Sequence, residues 1–253
     1  MVAVITAFRE YVRGVDRVVL LFSGGADSSL LLALGAAVLG DRLTALTFTG
    51  PHTAPGELAS AWSLARRLGV RHLVREMDLL TLPEFRYNTP ARCYACKQTL
   101  TAQGWQMARA WGAHALWDGT NRDDLRDFRP GLKATREAGV ASPLLELGLG
   151  KREIRKFSAA LGLPGDKPPQ SCLATRFPYG TELSREILAR VGGAETWLRR
   201  RGFGHVRLRV QGELAVLELE TEDVARFMRP ACRGPFSALV ANLGWRYLEV
   251  ASR

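Results

Sequence analysis

Val18–Phe22 is an unbroken apolar run rich in β-formers, followed at once by the polar, glycine-bearing stretch Ser23–Ser29 and then by the apolar run Leu30–Leu39. The order predicts a buried strand, a loop and a helix. The pattern recurs with a run at Leu43–Phe48, a helix over about 56–68, a run at Arg71–Glu76, a helix over about 95–111 and a run at His114–Trp117. Such alternation predicts an α/β domain, whose strands, buried on both faces, form a parallel sheet. Ligands of these sheets bind beyond the carboxyl ends of the strands. That rule singles out three stretches: residues 23–29, the segment after Phe48, and Asp118-Gly-Thr-Asn121.

Lys151–Leu161 reads as one more amphipathic helix, and Gly162–Pro169 then breaks it with three prolines and two glycines. A domain boundary is expected there, dividing residues 1–165 from 166–253. The second part reads as a small α+β unit. It has a helix over about 184–201, two alternating segments at Val206–Val210 and Leu214–Leu219 joined by a turn at Gln211-Gly212, further helical segments, and an apolar run at Trp245–Val250. There is no internal repeat.

Composition changes this picture little: 253 residues with 47% hydrophobic and 24% charged side chains exclude disorder and fibre. Charge changes it more. The net of +10 invites a polyanionic partner, nucleic acid first. However, 30 of the 35 basic residues are Arg, a skew that a GC-rich genome would also produce. Residues 1–150 hold 17 basic and 14 acidic side chains, and 151–253 hold 18 and 11, so a bound anion is to be sought in the second part. No apolar run approaches the ~20 residues that span a bilayer. The start Met1-Val-Ala-Val-Ile-Thr6 has no basic region before an apolar stretch, so a cytoplasmic protein is expected. In that reducing compartment four cysteines point to metal binding or reactivity rather than disulfides.

Ser23-Gly-Gly-Ala-Asp-Ser-Ser29 is the most informative stretch. Two glycines let the backbone approach a ligand, three hydroxyls can donate, and the helix behind offers free N–H groups and a positive dipole end to a phosphate. It is not a Walker A loop, because Gly-x-x-x-x-Gly-Lys is absent. It resembles the Ser-Gly-Gly-x-Asp-Ser-Ser loop of the ATP pyrophosphatases (PP-loop proteins). The resemblance implies pyrophosphate on Ser23, Gly24, Gly25, Ser28 and Ser29, and Mg²⁺ near Asp27. A Gly-Thr-Asn loop helps enclose the nucleotide in related proteins, which implies that role for Gly119, Thr120 and Asn121. Asp123, Asp124 and Asp127 would then be available to a metal or an intermediate, a solvated loop being the plainer alternative. Cys93-Tyr-Ala-Cys96 falls at a helix start, where the dipole favours a thiolate. With Cys172 these thiols would suit a [4Fe–4S] cluster having one open iron; structural zinc and unliganded thiols remain open.

Taken with Arg92–Lys97, Asp127–Lys133, Ser142–Leu145 and Ser171–Gly180, these stretches resemble the LarE family along nearly the whole chain. Its members are ATP-dependent sulfur transferases that build the nickel-pincer nucleotide of lactate racemase. The resemblance implies adenylation of a carboxylate on a pyridinium mononucleotide, followed by displacement of AMP by sulfur. In one-cysteine members the thiolate at the position of Cys172 attacks and is consumed. In three-cysteine members, which this chain resembles better, Cys93, Cys96 and Cys172 hold the cluster and sulfide on its open iron is delivered. The family also implies Arg207 and Arg209, alternating on one strand face, as the phosphate clamp. It implies Glu195 near the active cysteine, whereas an exposed helical Glu is more often solvated. Arg176 would meet an anion or make a surface salt bridge. Cys232 reads as a small apolar residue.

The main rival is a tRNA thiolation enzyme of the same superfamily, favoured by the net charge but lacking an RNA-binding module or a basic stripe with interleaved aromatics. An ATP-sensing module without turnover is the rival from a non-enzyme class. Family resemblance implies a homo-oligomer; the sulfide donor is not written in the sequence.

Overall fold

A computed structural model describes residues 2–126, 130–163 and 171–252. In chain order the first half comprises α1 (Val2–Tyr11), β1 (Val18–Leu21), α2 (Ala26–Leu39), β2 (Leu43–Thr49), α3 (Glu57–Arg67), β3 (Arg71–Glu76), α4 (Pro83–Arg86), α5 (Arg92–Ala110) and β4 (Ala115–Trp117). The remainder comprises α6 (Pro130–Glu137), α7 (Pro143–Glu146), α8 (Lys151–Ala160), α9 (Arg185–Arg199), β5 (Val206–Gln211), β6 (Leu214–Leu219), α10 (Thr221–Phe227), α11 (Pro230–Asn242) and β7 (Tyr247–Ser252).

The chain divides into two compact units. One is made of Met1–Gly50, Gly56–Met77 and Ala91–Pro169; the other of Pro51–Pro55, Asp78–Pro90 and Gln170–Arg253. The second is therefore discontinuous: two short segments of the first half belong to it. The expected boundary at 165/166 lies outside the described residues.

The first unit is a parallel sheet in the order β3-β2-β1-β4. Alternate residues of β1 serve opposite faces, as strand geometry requires. Val18 and Leu20 join one core with Phe8, Leu30–Leu34, Leu144, Ile154 and Trp117. Val19 joins the other with Leu46, Ala108, Leu116 and Val140. A Cβ at Gly104 of α5 would lie 3.1 Å from side-chain carbons of both Leu21 and Leu116, so the helix rests directly on the strands. One expectation fails: β3 is an edge strand with Arg71, Val74, Arg75 and Glu76 exposed, not a strand buried on both faces.

The second unit carries the sheet β5-β6-β7. β5 and β6 form an antiparallel hairpin that pairs Gln211 with Leu214 across Gly212, whose φ of 57° is left-handed. β7 is parallel to β6, and Phe227 and Phe236 bring α10 and α11 into edge-to-face contact. No described helix is long and apolar enough to cross a membrane.

Candidate active site

In the first unit β1 delivers the chain to the loop through a fixed residue. Phe22 N–H donates to Leu46 O (2.8 Å), and the Thr47 hydroxyl donates to Phe22 O (2.6 Å). That hydroxyl has one proton, so the 2.7 Å contact with His72 Nε2 makes the imidazole nitrogen the donor. Burial lowers the His72 pKa, in keeping with this neutral form. Gly24 then turns at φ 73°, and a Cβ there would meet Ala61 Cβ at 3.0 Å. Only glycine satisfies both conditions. Ser23 Oγ lies 3.1 Å from Ser28 Oγ, and Gly25 caps α2 in an extended conformation. The first N–H groups of the helix have no acceptor within it. Ser28 and Ser29 are buried, Asp27 lies in the first turn, and Ser29 Oγ is a buried hydroxyl without a partner.

The Asp118 loop abuts this one backbone to backbone. A Cβ at Gly119 would stand 2.9 Å from Ser28 N and 3.0 Å from Ser28 Cα. Asp118 organises its own loop, accepting from Thr120 N–H (3.1 Å), Thr120 Oγ1 (2.8 Å) and Ser142 Oγ (2.8 Å). Asn121 Oδ1 accepts from Asp123 N–H (2.9 Å), while Asn121 Nδ2 is buried and unpartnered. Two unmatched buried groups, one on each loop, fit a ligand rich in acceptors such as a nucleotide triphosphate. Of the aspartates read as available to a metal or an intermediate, two have backbone partners. Asp123 accepts from Lys151 N–H (2.7 Å) at the start of α8, and buried Asp124 accepts from Asn121 N–H (3.1 Å). Asp127 lies outside the described residues.

Cys93 and Cys96 stand one turn apart at the start of α5, the first exposed and the second half-buried. The buried Arg92 guanidinium is 3.8 Å from Cys93 Sγ. Burial pushes the Cys96 thiol up to about 11, outweighing the pull of Lys97 and Arg92. The thiolate expected from the helix dipole is therefore not favoured at Cys96: desolvation wins. Among the described residues no three His, Cys, Asp or Glu side chains are gathered into a metal-holding group. The two thiols of α5 belong to the first unit and Cys172 to the second.

In the second unit Cys172 is half-buried at the head of the turn Leu173–Arg176. Leu173 N–H donates to His52 O (2.9 Å), and Thr175 donates to Cys172 O from both N–H (2.9 Å) and Oγ1 (2.8 Å). Arg176 and Glu195 depart from expectation. Arg176 is not on the surface; it is 3% exposed, and its donors go to Glu195 Oε1 (2.6 Å), Glu195 Oε2 (3.2 Å), Ser171 Oγ (2.6 Å) and Thr175 Oγ1 (2.9 Å). Glu195 is fully buried rather than solvated, and it also accepts from Arg199 (2.7 Å) and Leu208 N–H (3.0 Å). The anion Arg176 meets is thus Glu195. Along β5 the residues alternate as expected, with Val206, Leu208 and Val210 buried and Arg207 and Arg209 on the opposite face. Arg209 pairs with Glu218 and donates to Thr175 O (3.3 Å). Cys232 is half-buried in α11, and burial raises its pKa.

Two residues escaped the sequence reading. Asn88 is fully buried with φ 48°, and its Nδ2 donates to Phe177 O (3.0 Å) and Pro178 O (2.7 Å), holding the loop that follows Arg176. The Asn-Thr-Pro stretch was a turn signal, since Asn tolerates left-handed backbone. His52, whose carbonyl holds Leu173, has its pKa lowered by burial to about 4 and its Nδ1 buried without a partner.

A parallel sheet with this serine-glycine loop at the head of its first central helix defines a PP-loop nucleotide domain of the ATP pyrophosphatase class. The family model described as queuosine biosynthesis protein QueC, a PP-loop family, matches residues 17–89. An uncharacterized protein of Synechocystis sp. is 40% identical over 96% of this chain and 91% of its own length. The pyridinium-3,5-bisthiocarboxylic acid mononucleotide synthase of Lactiplantibacillus plantarum is 34% identical over 94% of this chain and 86% of its own. An uncharacterized protein of Methanocaldococcus jannaschii is 31% identical over 84% and 81%. The chain belongs to the LarE family, that of the Lactiplantibacillus synthase.

Proposed function

We propose that this chain is an ATP-dependent sulfur transferase that converts a carboxylate of pyridinium-3,5-biscarboxylic acid mononucleotide into a thiocarboxylate, a step of nickel-pincer nucleotide synthesis. The observation that carries the proposal is the kinship to the named synthase over 94% of the chain, joined to two adjoining loops that each hold one buried, unpartnered donor, Ser29 Oγ and Asn121 Nδ2.

The residues divide the work. Ser23, Gly24, Gly25, Ser28 and Ser29 hold the β,γ-pyrophosphate of ATP at the head of α2, Asp27 supports Mg²⁺, and Gly119, Thr120 and Asn121 close over the nucleotide. Arg207 and Arg209 hold the phosphate of the mononucleotide. The substrate carboxylate oxygen attacks the α-phosphorus, the bond to the β-phosphate oxygen breaks, and pyrophosphate leaves. Sulfur then adds to the acyl carbon of the adenylate, and AMP departs with the C–O electron pair. Cys93, Cys96 and Cys172 would be the thiol ligands of a [4Fe–4S] cluster, which when bound would supply a nucleophilic sulfide. As a ligand Cys96 would have to give up the proton that burial favours.

The test is anaerobic purification with iron and sulfide analysis, then turnover with ATP, Mg²⁺ and the biscarboxylate, reading pyrophosphate, thiocarboxylate and intact protein mass. Cluster, product and unchanged mass are expected, with iron lost in each Cys→Ser variant at 93, 96 and 172 and retained at 232. Loss of the elements of H₂S from a metal-free chain would show Cys172 consumed instead. Co-purified tRNA, thiolated on addition of ATP, would overturn the substrate assignment.

A further inference from the structure

A carboxylate has about four lone-pair positions, and all four of Glu195 are filled. Oε1 accepts from Arg176 Nε and Leu208 N–H; Oε2 accepts from Arg176 and Arg199. The side chain is 0% exposed. A proton acceptor needs a lone pair aimed at substrate, and none is left. The donors come from three elements: the Cys172 turn, α9 and β5. Leu208 lies between Arg207 and Arg209, so the group that fixes the cysteine turn also fixes the strand that carries the two arginines. Arg209 repeats the link from the other side by donating to Thr175 O.

We infer that Glu195 is a positioning residue: its carboxylate locks the Cys172 turn, through Arg176, to the Arg207–Arg209 segment of β5, and it exchanges no proton with substrate. The roles of Cys172 and of the arginines rest on the function proposed above; the lock itself is internal to the second unit. A buried pair that only filled space would be replaceable by apolar residues of like volume without loss. A lock would not.

The test uses the full chain and the double variant R176M/E195L, with R176K as a milder variant that keeps the buried charge should the first not fold. Circular dichroism and thermal melting establish folding. The rate at which iodoacetamide alkylates Cys172, followed by peptide mass from pH 6 to 9, reports the turn without any substrate, and KM for the mononucleotide reports the strand. The folded variant should alter the alkylation rate by about threefold or more and raise KM about tenfold or more. Both values within about twofold of the parent would make the pair merely structural and overturn the inference. So would a folded E195Q that keeps parental alkylation but loses one limb of the activity pH profile, the signature of acid–base work. Absence of turnover by the parent would sink the proposed function and leave the alkylation result standing.

Discussion

Replacing Gly119 by Ala probes the close approach of the Asp118 loop to the first turn of α2. The new methyl carbon would lie 2.9 Å from Ser28 N and 3.0 Å from Ser28 Cα. Carbon contacts are comfortable at about 3.5–4.0 Å, so the loops must separate by roughly half an ångström or more. Both opposing atoms are backbone in the first turn of α2, so no side-chain rotation relieves the contact. Overpacking of this kind costs about 1–3 kcal/mol. If the cost falls on the state with both loops closed on ATP, affinity drops about 5- to 150-fold, at 1.4 kcal/mol per tenfold. Calorimetric ATP binding and pyrophosphate release against ATP concentration measure the loss. Gly193→Ala is the control: it is helical, has nothing within 4 Å of its Cβ, and should stabilise by about 0.5–1 kcal/mol without changing ATP affinity. A Gly119→Ala variant with parental ATP affinity and melting temperature would refute the reasoning, because the loops would then have slack that the geometry denies them.

Asn88→Ala takes the Nδ2 donor from the buried Phe177 carbonyl and the part-buried Pro178 carbonyl and puts an alanine Cβ at φ 48°, a cost of about 2–4 kcal/mol or a melting point lower by about 5–15 °C. Asn88→Gly should recover about 1 kcal/mol of that; a glycine variant no better than alanine would remove backbone strain from the account. His52 is held near pKa 4 in the fold against 6.5 in the unfolded chain, so the unfolded chain binds the extra proton as pH falls through that interval. Its burial costs nothing above pH 7 and up to about 3 kcal/mol by pH 4, and denaturant titrations of His52→Gln should show a flatter pH dependence than the parent; parallel curves would contradict it. Arg207→Gln should raise KM for the mononucleotide about 10- to 100-fold while leaving ATP binding intact, and steady-state kinetics with each substrate varied separates the two.

Much of the first unit was legible in the chain because buried strands and glycine turns leave local marks. The run Val18–Phe22 and the glycines behind it announce β1, the loop and α2 without help from the rest of the sequence. The helices α4 and α7 left no comparable mark: each has four residues, too few to show a helical period. β3 carried enough β-formers to be placed as a strand, but its edge position depends on neighbours that no local pattern encodes. The site divides along the same line. The glycines that set loop geometry, Gly24 and Gly119, stood out in sequence. Asn88 and His52 did not, since their significance lies in hydrogen bonds across 89 and 121 residues; Glu195 was singled out by resemblance alone, and its burial and its bond to Leu208 N–H, 13 residues away, left no local mark.

The discontinuity of the second unit also bears on how the chain is made. Residues 51–55 and 78–90 leave the ribosome long before the segment from 170 onward that completes their unit. At about 5–20 residues per second, Asn88 waits roughly 4–18 s before Phe177 and Pro178 exist to receive its hydrogen bonds. Through that interval the sheet of the first unit can form while two tethered segments dangle from it unsatisfied. A fragment that begins at residue 166 would never end the wait: it lacks the His52 carbonyl that holds Leu173 and the Asn88 amide that holds the following loop. Such a fragment is expected to aggregate rather than fold, and the last third of the chain is not a module that can be moved to another protein.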